Sequence, residues 1–397
     1  MNPRRDRSPL PDKSHPRLGP VATREDKRDT RTPPRETRAA RRAAPVTPAA
    51  AQVHAPIRED WLRRTPEEAL DPGIPILDAH HHLWDRPESR YRTGEFLADV
   101  ASGHDVRASI YVQCRTGYRE TGPVSMRPLG EVETIRAWSA DAPRHPSAIV
   151  AFADLQLGHD VRPVVEALCA AAPGRLRGIR NTTAYHPDPA VRSNPRPAPD
   201  GLSRSDAFRA GAAEVARAGL VLDVWAYQTQ LGEVAELAED LPELAIVVDH
   251  CGGPLGLGPF AARTDAQFDD WRQGIARLGR LPNVKIKIGG FGLRVFGHDY
   301  HLRDAPPHSE TLAQDWRPWV DTCLAHFGPD RAMFESNFPV DKGMFSYVAL
   351  WNAFKRLSAP FGPDERDALF WRTAARTYAV DFPAHTIEED DVCQDTR

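Results

Sequence analysis

The sequence predicts an α/β fold, a single (β/α)₈ TIM barrel, and three observations carry that prediction. Eight short runs rich in β-branched residues alternate with longer helical patterns, the signature of βαβ units in a parallel sheet. The alternation fills about 300 residues, enough for eight units and their closure. Polar residues gather at the C-terminal ends of the runs, where barrel enzymes keep their chemistry. An open doubly wound sheet is the alternative. However, no GxGxxG or GxxxxGKS/T follows an early strand, so no nucleotide cofactor is expected.

The runs, in order, are 74–83 (IPILDAHHHL), 108–113 (ASIYVQ), 148–156 (AIVAFADLQ) and 176–182 (LRGIRNT). They continue with 219–227 (GLVLDVWAY), 244–250 (LAIVVDH), 283–289 (NVKIKIG) and 331–338 (RAMFESNF). Helical periodicity between them predicts helices at 161–172, 205–218, 230–240, 265–281 and 311–327.

Residues 71–382 are read as the barrel, 1–70 as a leader and lead-in, and 383–397 as an acidic tail. The first fifty residues hold 13 Lys+Arg against 6 Asp+Glu, and 9 of the 37 prolines. Their large apolar residues are confined to Met1, Leu10, Leu18, Val21 and Val46. That is too little apolar surface to offset the entropy of ordering them, so 1–55 is expected to be disordered. The stretch RETRAARRAA (35–44) is either a docking site for an acidic partner or a solvated tail, the latter being the default.

The whole chain of 397 residues has a net charge of −4, which argues against a globally basic nucleic-acid binder. No run approaches 18 apolar residues, so no membrane association is expected. Five scattered cysteines without CxxC spacing speak against a disulfide framework or thiolate zinc site, and for a reduced, cytoplasmic protein. A small-molecule substrate is the expected partner, and a homo-oligomer is compatible with the sequence.

Period two sorts each strand into helix-facing and lumen-facing residues. In the first run, Leu77, Ala79 and His81 are expected toward the helices, and Asp78, His80 and His82 toward the lumen. In the seventh, Val284, Ile286 and Ile288 face outward, leaving Lys285 and Lys287 inside. Glu335 and Asn337 share a face in the eighth. Tyr111, Gln113, Asp154, Arg180, Asp223, Trp225 and His250 complete the expected lumen set. Asp249 is expected to face outward, as a partner to a helix end.

Asp78-Ala79-His80-His81-His82 is the sharpest motif. Two imidazoles two residues apart on a strand project the same way. They can share one divalent metal, zinc being the expected one, at about 2.0–2.1 Å each. A hydrogen-bonded cluster without metal is the other reading. His250 reads as a third ligand, an acid/base group or a satisfied core histidine. Arg180 at the rim suits a substrate carboxylate or a developing oxyanion, or else an ion pair to Asp154 or Asp223. Glu335 with Lys285 or Lys287 reads as a buried ion pair, with general acid/base use of Glu335 as the functional alternative. The loops 115–131 and 291–310 are long enough to bind substrate. They offer Tyr118, Arg119 and Arg127, and His298, His301 and His308.

With DAHHHLWD (78–85), RGIRN (177–181), VVDHCGGP (247–254) and MFESNFPVDK (333–342), the chain resembles the amidohydrolase-related family. The branch it resembles is that of TIM-barrel metal-dependent hydrolases, which includes sugar-acid and dicarboxylate lactonases and has decarboxylases among its wider relatives. The likeness spans about 74–379. It implies that His80 and His82 are the strand-one HxH and His250 the strand-six histidine, a set that holds a divalent metal in many members. Some lactonases of the family work without one. Asn337 stands where most relatives have an aspartate, and a carboxamide cannot take a proton from water. Asp341 or Glu335 is then expected to supply the base. The expected activity is water attack on the carbonyl of a small, carboxylate-bearing lactone, ester or amide. The alternatives are a metal-dependent decarboxylase and a catalytically lapsed binding protein.

Overall fold

The computed structural model describes residues 53–383 apart from Glu88. The expected leader up to residue 52 and the tail from 384 lie outside the described residues. Eight parallel strands form one sheet in sequential order. They are β1 (Pro75–His81), β2 (Asp105–Val112), β3 (Ala148–Ala151), β4 (Leu176–Thr182), β5 (Val221–Trp225), β6 (Ile246–Val248), β7 (Val284–Ile288) and β8 (Ala332–Phe334). All eight overlap the predicted runs, the second beginning earlier, at Asp105. The ends of the sheet meet where His81 bridges Phe338 and where the Asn337 N–H donates to the His80 carbonyl at 2.8 Å. The chain is a TIM barrel.

The helices after the strands are α1 (Thr93–Val100), α2 (Leu129–Trp138), α3 (Arg162–Ala171), α4 (Asp206–Arg217), α5 (Leu231–Asp240), α6 (Asp265–Gly279), α7 (Ser309–Phe327) and α8 (Tyr347–Leu357). Their starts are chemically marked. The Ser205 and Thr264 side chains accept from the Phe208 and Gln267 N–H groups, which satisfies donors that the first helical turn leaves open. Ile149, Leu222, Val248 and Ile286 bury their outer faces against Phe208, Val234, Trp271 and Trp316 of the helices. Each such burial stabilises by roughly 1.5–3 kcal/mol. Among the described residues, no helix is long and apolar enough to cross a membrane.

Several facing assignments are corrected. Leu77 and Ala79 do not face the helices. They pack with Val112, Val150, Val247 and Met333 of other strands, and with Tyr378, inside the barrel. Asp78 points out toward α8, accepting from the Tyr347 hydroxyl at 3.0 Å and the Ser336 N–H at 2.9 Å. The pairing of β1 with β2 slips between Asp78 and His81. That irregularity shifts the alternation by one residue. His80 therefore reaches the lumen, while His81 stacks on Phe96 of α1 with 3.9 Å between centroids. Tyr111 faces outward, donating to Glu131 of α2 at 2.8 Å. Asp154 caps the turn after β3 by accepting from the Gln156 N–H at 3.1 Å. Asp249 lies fully buried in the lumen rather than outside. The strand already ends at Val248, so period two no longer applies there.

The described part of the lead-in, 53–70, packs on the loop after β7. One helical turn, Glu59–Leu62, buries Trp61 and Leu62. Trp61 Nε1–H donates to the Arg303 carbonyl at 2.9 Å, and the Thr65 hydroxyl to the Pro306 carbonyl at 2.8 Å. Gly343 lies so close to Ala55 that a Cβ there would overlap the Ala55 carbonyl.

Burial lowers the His80, His104 and His145 imidazoles to about 4, with Lys287 adding to the effect at His80, Lys355 at His104 and Arg144 at His145. Burial also lowers His54, His81, His82 and His298. A depressed histidine favours the folded state above its unfolded value of 6.5, and that advantage is lost as pH falls toward 4. Asp78 and Asp223, pushed up to about 6 by burial, work in the opposite sense between 3.8 and 6, and Asp99, Glu131 and Asp341, which burial also raises, add to them. The histidines outnumber them. The urea midpoint is therefore expected to be lower at pH 5 than at pH 7, and a higher midpoint at pH 5 would contradict this balance.

Candidate active site

The C-terminal ends of the strands open into a cavity of about 1160 Å³. His82, Gln113, Tyr118, Arg180, Trp225, His250 and Asn337 line it. His80, Glu335 and Asp341 are fully buried behind its wall. Arg119 is turned away, in a surface ion pair with Glu133. His298, His301 and His308 do not reach the cavity. His298 stacks on Tyr300, the His301 carbonyl accepts from Arg58, and His308 faces Glu67 at 3.7 Å.

Glu335 sits between two imidazoles. Its Oε1 is 2.6 Å from His250 Nδ1 and its Oε2 is 3.0 Å from His80 Nδ1. Burial opposes ionisation of Glu335, but the charges and hydrogen bonds of His250 and His80 outweigh it and hold the carboxyl at about 2. Glu335 is thus a carboxylate that orients both rings. Its bond to His250 puts the proton on Nδ1 and leaves Nε2 basic, an assignment that follows from the partners. The chain around His250 is bent to allow this. His250 and Cys251 both take φ of 53°, a left-handed conformation that costs on the order of 1–3 kcal/mol per residue and collects at functional sites. Gly290 makes room, since a Cβ there would come within 2.6 Å of the imidazole.

Arg180 Nε–H donates to Asp249 at 2.7 Å, and Nη2 reaches His250 Nε2 at 3.4 Å. The partner of Arg180 is therefore Asp249, not Asp154 or Asp223. Lys287 likewise pairs with Asp223 at 2.6 Å and Asp249 at 3.5 Å, not with Glu335 as read from the sequence. Tyr378, from the segment after α8, donates to Asp223 at 2.8 Å. Burial raises the Asp249 carboxyl, but Arg180 and Lys287 hold it well below the usual range.

His80 Nε2 and His82 Nε2 are 3.2 Å apart, and His82 Nδ1–H donates to the Val112 carbonyl at 2.7 Å. Two nitrogens at 2.0–2.1 Å from one tetrahedral ion would be about 3.3 Å apart. A donor bond from the far nitrogen is how ligating histidines are held. Asp249 Oδ1 and Glu335 Oε2 are buried without a hydrogen bond of good geometry, although Lys287 Nζ lies 3.5 Å from the first and His80 Nδ1 3.0 Å from the second. Asp223, Asp249 and Glu335 exceed the permanent cations Arg180 and Lys287 by one negative charge. A buried negative excess beside paired imidazoles fits a cation. His80, Asp249 and His250 each present a donor atom within 4.8 Å of the others, and His82 Nε2 adjoins His80 Nε2. With His250 Nδ1 held by Glu335 and Nε2 kept as a base, His80, His82 and Asp249 are the residues that would hold the cation.

Asn337 lines the cavity and donates through Nδ2 to Asp341 at 2.7 Å, while Asp341 also accepts from the Gly292 N–H at 2.9 Å. Burial raises the Asp341 carboxyl well above the usual range. Restoring an aspartate with Asn337→Asp would set two carboxyls against each other. The expected result is a loss of ~1–3 kcal/mol in denaturation at pH 8 and no gain in kcat. A faster enzyme would contradict the placement.

Sequence reasoning missed Asp249, which carries no signal beyond its place at a strand end. It also missed the lead-in residues 53–57 and Glu59, which line the cavity. Their signal was the small apolar cluster Ala55-Pro56-Ile57 before Trp61-Leu62.

A barrel with an HxH at the end of its first strand and a histidine after its sixth defines the amidohydrolase class, and this chain belongs to that family, whose model matches residues 77–380. It is an enzyme of that family. An uncharacterised protein of Sinorhizobium fredii is 34% identical over 329 residues, covering 77% of this chain and 99% of that one. The L-fucono-1,5-lactonase of Burkholderia multivorans is 28% identical over 339 residues, covering 79% and 98%. Among solved structures, a zinc-bound amidohydrolase of Burkholderia multivorans superposes with a TM-score of 0.61 at 24% identity, covering 77% and 99%. A 5-carboxyvanillate decarboxylase of Sphingomonas paucimobilis shares the fold with a TM-score of 0.51 at 13% identity, covering 78% and 100%.

Proposed function

We propose that this enzyme opens a small, carboxylate-bearing lactone by attack of water on its carbonyl, in the cytoplasm. The observation that carries the reading is the Glu335–His250 pair at 2.6 Å, beside an arginine in the wall of the cavity. The likeness to the fuconolactonase supports lactone opening, and the carboxylate is read from Arg180 alone.

Arg180, anchored by Asp249, takes the substrate carboxylate or carbonyl oxygen. Engaging Nη2 in this way draws it from His250 and frees Nε2. His250 Nε2 then accepts a proton from the attacking water, and Glu335 stabilises the imidazolium that forms. As the ring C–O bond breaks, His250 returns the proton to the departing alkoxide, giving a hydroxy acid. This pair supplies the base that Asn337 cannot. Asp341 positions Asn337 and the loop after β7. A divalent metal such as zinc, held by His80 and His82 with Asp249, would polarise the carbonyl and acidify water, and His250 Nε2 stays free as the base.

Decarboxylation is the second reading, favoured by Asn337 in place of an aspartate, because loss of carbon dioxide needs no water nucleophile. A panel of sugar-acid lactones, 2-pyrone carboxylates and hydroxybenzoic acids, assayed with added zinc or manganese, separates the two. Ring opening of a carboxylate-bearing lactone is the expected result. Release of carbon dioxide with no lactone opened would overturn it.

A further inference from the structure

The family match begins at residue 77, yet part of the cavity wall comes from before it. Val53, His54 and Ala55 line the cavity together with Arg86, Arg115 and Arg196. The lead-in is fixed in place by more than contact. Glu59 pairs with Lys342 at 2.9 Å, and Lys342 with Asp99 at 2.9 Å. Trp61 and Thr65 are tied to the loop after β7.

The acids of this wall, Glu59 and Glu95, are engaged by Lys342 and Arg90. Arg86 lies over the Trp84 ring with 4.1 Å to its centroid and has no ion pair among the described residues. His54 Nδ1 is buried without a partner. Burial, with Arg86 and Arg294 adding to it, keeps the ring neutral, down at about 4. An unpartnered imidazole nitrogen beside a guanidinium that stacks on an aromatic ring is a donor pair waiting for an oxyanion. Arg180 belongs to the reacting end of the same cavity.

We infer that His54 and Arg86 form a second anion subsite, which takes a distal carboxylate of the substrate and gives this chain a preference for dianionic over monoanionic substrates. The inference rests on the proposed lactone hydrolysis only for its biological meaning, because binding can be read without turnover.

The test is calorimetric titration of the full chain with succinate, glutarate and adipate, each against the monocarboxylate of equal length. For at least one length, the dicarboxylate is expected to bind about tenfold tighter, the worth of one charge-assisted contact of roughly 1.4 kcal/mol. His54→Ala and Arg86→Gln should each bring that ratio close to one and leave monocarboxylate binding unchanged, which also reports a folded cavity. Arg86→Lys should keep part of the preference. A ratio of one at every length in the unaltered chain, or a preference that survives both substitutions, would overturn the inference. A lactone panel with no turnover would overturn the proposed function and leave this ratio to be read independently.

Discussion

Glu335→Gln is expected to lower kcat by about 10²–10⁴-fold with little change in KM. The carboxylate touches no open part of the cavity. Both oxygens lie against imidazoles, 2.6 Å from His250 and 3.0 Å from His80, so its effect on turnover passes through those rings. A glutamine can still accept from His250 Nδ1–H through its oxygen. It cannot stabilise an imidazolium, and its amide can enforce the wrong tautomer. His250→Ala should cost as much or more. The double variant should be no slower than His250→Ala within about threefold, because groups that act as a unit are not additive. Steady-state kinetics of the three variants decide the matter. A Glu335→Gln enzyme with more than half its turnover, or a double variant slower by the product of the two single effects, would remove the pair from the mechanism.

The second large effect concerns the ion. His82→Ala and His80→Ala are expected to abolish stoichiometric zinc or manganese, measured by mass spectrometry of protein purified without chelator, and to lower kcat/KM by at least about 10²-fold. Three lumen carboxylates face two permanent cations. Without an ion, the alternative is a proton-held chain. Lys287 Nζ donates to His80 Nδ1 at 3.3 Å, His80 Nε2–H donates to His82 Nε2, and His82 Nδ1–H donates to the Val112 carbonyl. Metal-free protein with full turnover would select that chain and end the metal role.

The barrel was legible because its signal is repeated eight times. A misjudged end on one strand is corrected by the next, and the polar strand ends announce the side that carries chemistry. His80, His82, His250 and Arg180 were found by the same logic and converge at the cavity. What period two could not carry was any break in the strand. The slips in the pairing of β1 and the end of β6 at Val248 account for the facing of Leu77, Asp78, Ala79 and Asp249. Partners across the lumen are also invisible to spacing. Lys287 pairs with Asp223 and Asp249 because strand stagger, not sequence distance, sets which charges meet. The lead-in read as part of a solvated leader, since its few apolar residues are too local for a periodic pattern.

Hydrolysis by water activated at His250 leaves an isotopic signature in the product. The lactone turned over fastest in the panel is opened in water enriched in oxygen-18, and the product is read by mass spectrometry. One solvent oxygen in the new carboxylate, none in the new hydroxyl, and loss of that product in His250→Ala are the predicted results. Label in the hydroxyl, or carbon dioxide in place of a hydroxy acid, would contradict the account.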